Sequence, residues 1–151
     1  MRTIGPVNLA IGPGRVFEYF DELRKILELA SQDVFFVDPY LNAEFVSRYL
    51  TIIRNGVNIR LLTKSDQRQT TALRPAVELF ARENNQTVQV RTTEGLHDRY
   101  LFIDQTSCFH SGSSFKDGAK KAGTIISQIT DGFQPMWKTY DDLWSAAKIE
   151  L

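Results

Sequence analysis

Two short segments concentrate side chains that are suited to phosphate chemistry. One is "HDRYLFID", residues 97–104, and the other is "HSGSSFKDGAKK", residues 110–121. If the first is a strand, His97 and Arg99 point to one face of it. An imidazole can attack phosphorus or carry a proton near neutral pH, and a guanidinium binds phosphate oxygens. The pair therefore predicts phosphodiester cleavage, with both residues in catalytic roles.

The second segment is predicted to return to the histidine through a β-hairpin. A two-residue loop at 105–106 sets a register that places His97 opposite Ser114 and Arg99 opposite Gly112. A slip of one or two residues still leaves the glycine–serine stretch beside the same end of the strand. The sequence therefore brings two distant stretches to one place.

The same arrangement predicts which residues bind phosphate. Ser113 and Ser114 supply hydroxyl donors, and Lys116 supplies a positive charge just past them. Neither a Cys or His cluster nor a spaced carboxylate set suggests a metal site. We therefore expect chemistry without a metal or another cofactor.

The other polar residues near these segments are open to more than one interpretation. Asp104 lies about 23 Å along an extended strand from His97 and on its opposite face, so it is expected mainly to bond backbone amides in a turn. His110 is predicted to face Leu101 and to be structural. Glu94 and Asp117 are two candidates to orient the imidazole, and the sequence does not choose between them.

A further polar pair follows an apolar run in "VDPYL". Asp38 is interpreted as a turn aspartate beside Pro39. Ligands also gather at the carboxyl ends of parallel strands, so Asp38 and Tyr40 remain alternative site residues.

Helical and strand patterns alternate along the chain and predict the elements that hold these residues. The predicted helices are 16–31, 42–56, 70–84 and 133–149. The predicted strands are 34–37, 57–64, 87–93, 97–104, 107–112 and 124–129. Pro75 fits best in the first turn of its helix, which would then begin near residue 73 or 74.

This alternation is typical of an α/β fold. We expect a mainly parallel mixed sheet sandwiched between helices, with a late antiparallel hairpin, in one domain over residues 1–151. The stripe of Phe133, Trp137, Tyr140 and Trp144 is expected to pack in the core.

Composition and charge limit the class of protein. The chain of 151 residues has no net charge, but residues 46–121 carry 12 basic and 7 acidic groups, which favours a local anionic ligand. The single Cys108 is expected to be buried in a reducing compartment. Glycine and proline interrupt residues 1–14 before a signal-peptide core can form, and no apolar run is long enough for a membrane span. A cytoplasmic location without membrane contact is expected.

The two segments resemble the HxKx4D signature and trailing glycine–serine segment of the phospholipase D superfamily. They are most similar to small bacterial members with a single motif. The matching pattern is His97-x-Arg99-x4-Asp104 followed by Gly112-Ser113-Ser114-x-Lys116. Two positions depart from it: Arg99 stands where the signature has lysine, and Phe115 stands where the GSxN pattern has asparagine.

The resemblance implies a sheet sandwiched by helices and a two-step reaction without a metal. One histidine attacks phosphorus to give a phosphohistidine, a second protonates the leaving oxygen, and water releases the product. Since the chain has one motif, the resemblance implies a homodimer whose subunits each supply His97. It also implies a catalytic role for Asp104, which stands at the aspartate position of the signature.

The leading hypothesis is a homodimeric, metal-independent phosphodiesterase, most simply a nuclease acting on DNA or RNA. The alternative is a catalytically degenerate module of the same fold that binds nucleic acid or serves in assembly. A lipid phosphodiesterase is a third interpretation, disfavoured because the sequence lacks a strongly basic amphipathic helix for a membrane surface.

Overall fold

Four α-helices and eight β-strands form the fold over residues 8–151, the range that the computed structural model describes. The helices are α1 (Val16–Leu27), α2 (Ala43–Tyr49), α3 (Gln67–Asn84) and α4 (Phe133–Ala146), and a 3-10 turn (Leu50–Ile52) follows α2. The strands are β1 (Asn8–Ile11), β2 (Asp33–Val37), β3 (Asn58–Lys64), β4 (Val88–Thr93), β5 (Tyr100–Ile103), β6 (Ser107–Ser111), β7 (Thr124–Ile129) and β8 (Lys148–Ile149). The expectation for residues 1–14 rests partly on residues 1–7, which lie outside the described range.

The strands form one mixed sheet in the order β1-β7-β6-β5-β2-β3-β4-β8. Strands β2, β3 and β4 are parallel, and the other neighbouring pairs are antiparallel. The predicted α/β class with a mixed sheet is confirmed. Its antiparallel part is larger than predicted. The short connection 94–99 leaves the chain at the end of the sheet where β4 stops, so β5 starts there and runs antiparallel to β2, and the hairpin adds β6 antiparallel to β5.

Helices cover both faces of this sheet, as predicted. Helices α1, α2 and α3 pack against one face, where alternate strand residues such as Val34 and Phe36 point. Helix α4 covers the other face, to which Phe35 and Val37 point. All five residues of β2 are buried, which is typical of a strand enclosed between helical layers.

The aromatic stripe of α4 packs in the core as predicted, with Trp144 buried and Phe133, Trp137 and Tyr140 partly buried against the same cluster. The ring of Trp144 is 5.5 Å from that of Phe35, and the ring of Trp137 is 5.3 Å from that of Phe102. Cys108 is buried in the same layer.

Helix α3 begins earlier than predicted. Asp66 caps it by accepting a hydrogen bond from the amide of Gln69 at 3.2 Å, and Pro75 lies inside the helix. A proline there removes one backbone hydrogen bond. The helix persists because its buried side chains hold it against the core: Thr70, Leu73, Val77 and Phe80.

The predicted hairpin exists, but its register differs by one residue. Ile103 pairs with Ser107, and Tyr100 pairs with His110, so His110 does not face Leu101. The loop has three residues because Asp104 and Gln105 both adopt positive φ angles, 53° and 58°. Strand β5 begins at Tyr100, so residues 97–99 form an irregular segment before it.

Most of the predicted site residues meet at one edge of the sheet, where β2, β3 and β4 end; we call it the carboxyl edge. Strand β5 begins there and β6 ends there, because Val37 pairs with Tyr100 and Tyr100 with His110. Segment 94–99 and loop 112–123 therefore both lie at this edge. Across residues 8–151, every helix is too short or too polar to span a membrane.

Candidate active site

The candidate nucleophile is presented to solvent at the carboxyl edge. His97 is exposed, and its imidazole makes no hydrogen bond to any residue in the range 8–151. It is therefore accessible to a substrate rather than held in apolar packing.

Arg99 fixes the segment that carries His97. Its guanidinium donates to the carbonyl oxygens of Gly112 at 2.6 Å, His97 at 3.3 Å and Ser111 at 3.4 Å. A guanidinium has five N–H groups, so two remain for a ligand. Arg99 thus joins the histidine segment to the end of β6 while keeping a positive charge and free donors at the edge.

A buried carboxylate organises the glycine–serine loop. Asp38 is fully buried and accepts hydrogen bonds from the amide of Tyr40 at 2.8 Å, the amide of Phe115 at 2.7 Å and the hydroxyl of Ser114. Burial raises the pKa of Asp38 to about 6, although these hydrogen bonds and the charge of Arg99 act in the opposite direction. Asp38 therefore joins the end of β2 to loop 112–123.

The hydroxyls of the loop region donate to groups within the protein. Ser111 donates to the carbonyl of Ser113 at 2.7 Å and lies 2.6 Å from the hydroxyl of the buried Tyr19. Ser113 donates to the carbonyl of Gly118 at 2.6 Å, and Ser114 donates to Asp38. In this arrangement the two serines predicted to bind phosphate shape the loop.

Lys116 lies in the same loop, directly after a core residue. The ring of Phe115 is buried and packs edge-on against Phe36, with the ring centroids 5.2 Å apart. The amine of Lys116 is partly exposed and lies 2.8 Å from the carboxylate of Asp117. Asp117 is thus engaged with Lys116, while Glu94 is exposed at the same edge.

Asp104 lies at the opposite edge of the sheet from His97. Its carboxylate accepts hydrogen bonds from the amides of Ser31, Gln32 and Asp33 at 2.8 to 3.2 Å. Burial acts to raise the pKa of Asp104, but these amides outweigh it, so the pKa lies below its ordinary value. Asp104 bonds backbone amides as expected, although they belong to the start of β2 rather than to its own turn.

His110 lies on the face of the sheet that carries α4. Its ring is 5.0 Å from that of Tyr100, and burial lowers its pKa. Within residues 8–151, no group of three His, Cys, Asp or Glu side chains is placed to hold a metal ion.

Solved structures share this architecture. Nuc from Salmonella typhimurium, a phospholipase D family member, matches with a TM-score of 0.65 over 96% of this chain and 98% of its own, at 12% identity. The chain has the phospholipase D-like fold. NucT from Helicobacter pylori matches with a TM-score of 0.66 over 96% and 99% of the two chains, at 10% identity.

A third matching structure is longer. TrmBL2, an archaeal chromatin protein with a novel mode of DNA binding, matches with a TM-score of 0.61 at 11% identity. The match covers 94% of this chain and 52% of TrmBL2. No protein-family model matches the sequence, and no curated protein matches it.

The phospholipase D-like chain contains site residues that the sequence analysis missed or left open. Tyr19 and Ser111 were not predicted, because a tyrosine in an apolar helix stripe gives no sign of its distant partner. Asp38 was interpreted as a turn aspartate, and it does accept a bond from Tyr40, but it also holds the loop. The feature that could have indicated this role of Asp38 was its position directly after a strand buried on both faces.

Proposed function

We propose that this chain is a phosphodiesterase that cleaves nucleic acid without a metal, with His97 as the nucleophile. The observation that carries the proposal is the exposed imidazole of His97. It lies on a segment fixed by Arg99, beside a glycine–serine loop, in a phospholipase D-like fold. The guanidinium of Arg99 and the amine of Lys116 supply positive charge for a phosphate at this place.

The proposed reaction has two steps. An imidazole nitrogen of His97 attacks phosphorus, the bond from phosphorus to the leaving oxygen breaks, and His97 of the partner subunit donates a proton to that oxygen. Water then attacks the phosphohistidine and gives its proton to the partner's His97. The phosphorus–nitrogen bond breaks, and both imidazoles return to their starting states.

A homodimer is part of this proposal because the chain contributes one histidine to a reaction that uses two. On the face of the sheet that carries α4, the part that this helix leaves uncovered offers a surface for the second copy. Ile125 on β7 is 49% exposed there, beside the half-buried His110. Since β7 begins at the carboxyl edge, a copy packed on this face brings a second carboxyl edge towards the first.

A second candidate function is a nucleic-acid-binding module without chemistry. Two observations favour it: Phe115 is buried where the signature has an asparagine donor, and the hydroxyls of Ser113 and Ser114 donate within the protein. Such a module binds nucleic acid in a salt-dependent way and leaves it intact.

Cleavage assays in EDTA distinguish the two functions. Labelled DNA and RNA strands are incubated with the wild type, His97→Gln and His110→Gln, the last being a matched control at the other histidine. We expect His97→Gln to lower the rate at least 10²- to 10⁴-fold and His110→Gln to retain it. Intact strands with the wild type, or full cleavage by His97→Gln, would overturn the proposed function.

A further inference from the structure

An aromatic ring is exposed at the carboxyl edge, close to the candidate site. Tyr40 is 46% exposed, and it follows the strand-end residues Asp38 and Pro39, which are buried. Its ring is paired with no other aromatic ring of residues 8–151. An aromatic side chain left open beside a site is available to pack on a ligand.

Tyr40 is held at a fixed position relative to the glycine–serine loop. One oxygen of the Asp38 carboxylate accepts a hydrogen bond from the amide of Tyr40, and the other accepts one from the amide of Phe115. The backbones of Tyr40 and Phe115 are therefore only two hydrogen bonds apart, through a side chain that is fully buried. The backbone that carries the Tyr40 ring is thus tied to the loop.

Two lysines lie on the segments that are hydrogen-bonded to the turn before Tyr40. The amide of Lys64 donates to the carbonyl of Pro39 at 3.4 Å, and the exposed side chain of Lys64 forms no ion pair within residues 8–151. The other lysine, Lys116, follows Phe115. Its ion pair with Asp117 is partly exposed, and such pairs are weak enough for a phosphate to replace.

We propose that Tyr40 stacks on a base of single-stranded nucleic acid whose phosphates bind Lys64 and Lys116, so that the site selects single strands. This inference rests on the proposed function and names its substrate class. A ring and two cations on adjoining segments match the alternation of bases and phosphates along a strand. In a duplex the faces of the bases are stacked inside the helix, so Tyr40 reaches them only in an unpaired strand.

Fluorescence anisotropy in EDTA tests the inference, with His97→Gln as the background so that the probe stays intact. The probes are a short labelled oligodeoxynucleotide of mixed sequence and the same strand annealed to its complement. We expect the single strand to bind more tightly. Adding Tyr40→Ala should weaken single-strand binding roughly 5- to 150-fold, the range that corresponds to loss of one stacked base.

Two further variants separate stacking from a general loss of structure. Tyr40→Phe keeps the ring and should bind within about twofold of its parent, since stacking uses the ring face. Leu29→Ala removes an exposed apolar side chain at the opposite edge, 39% exposed, and should leave binding unchanged. A 2-aminopurine base in the strand should be quenched on binding, and Tyr40→Ala should remove the quenching.

The outcomes separate this inference from the proposed function. Unchanged single-strand affinity in Tyr40→Ala, or a duplex bound as tightly as the strand, overturns the inference even if the wild type cleaves DNA. Weakened binding in Tyr40→Ala together with a wild type that cleaves nothing supports the inference and overturns the nuclease. Absence of binding to either probe overturns the inference, while the cleavage assay on DNA and RNA decides the nuclease.

Discussion

The hydroxyl of Ser114 donates to both carboxylate oxygens of the fully buried Asp38, at 2.9 and 3.0 Å. These residues lie 76 positions apart in the sequence. The contact joins the end of β2 to the loop that carries Lys116. The shape of the candidate site therefore depends on a residue outside the histidine segment.

Asp38→Asn should change how stability depends on pH. The pKa of Asp38 in the folded protein is about 6, above the ordinary value of 3.8. The folded protein thus holds this proton more tightly than the unfolded chain. The resulting stabilisation is full below about pH 4 and is lost as the pH rises through about 6; it amounts to about 3 kcal/mol.

Urea unfolding of the wild type and Asp38→Asn between about pH 4 and pH 7 measures this contribution. Other titrating groups, including Asp33 and Asp104, are present in both proteins and cancel in the difference. We expect the free energy of unfolding of the wild type to fall relative to that of the variant as the pH rises. A difference that stays constant over the range would show that Asp38 does not titrate there.

Asp104→Asn should lower stability and leave catalysis intact. Asparagine tolerates the positive φ at this position. It lacks the negative charge of the carboxylate that accepts hydrogen bonds from the amides of Ser31, Gln32 and Asp33. We expect a loss of about 1–3 kcal/mol in the free energy of unfolding, with an unchanged cleavage rate. A rate at least 10²-fold lower in a folded variant would restore the catalytic role that the signature implies.

Arg99→Lys should show that the shape of the guanidinium matters as well as its charge. Lysine keeps the positive charge but cannot donate to the carbonyls of His97, Ser111 and Gly112 together. We expect about 1–3 kcal/mol lower stability in thermal or urea unfolding. The displaced His97 should slow cleavage roughly 10- to 100-fold. A variant equal to the wild type in both measurements would mean that charge alone is sufficient.

Mixing subunits tests whether the site is shared. Wild type and His97→Gln are combined in equal amounts and allowed to exchange, with exchange verified by tagged subunits. If each site needs His97 from both subunits, mixed dimers are inactive and about a quarter of the activity remains. About half would remain if each subunit acts alone, which would contradict a shared site.

The sequence predicted the parts of the fold that depend on local pattern. The apolar run from Val34 to Val37 has enough β-branched and aromatic residues to predict β2. Asn42 caps α2 as expected, and its side chain accepts a hydrogen bond from the amide of Phe45 at 2.9 Å. Strands β1 and β8 were missed. They are short strands at the two ends of the sheet, and their sequences carry no clear alternation.

The sequence predicted those parts of the site that are determined by residues close together in the chain. The return of the glycine–serine loop to the His97 segment tolerates a shift of one residue in register, so the loop is found beside Arg99. The direction of the serine hydroxyls was not predictable. It depends on Asp38 and Tyr19, which pack against the loop only after the sheet has formed.

A rapid-quench experiment on the wild type with a labelled DNA strand in EDTA asks whether His97 carries the phosphoryl group during turnover. Peptide mass spectrometry then locates any phosphorus-linked adduct. We expect an adduct on His97 that forms and decays during turnover and is absent from His97→Gln. Turnover with no adduct, or with an adduct on another residue, would show that His97 is not the nucleophile.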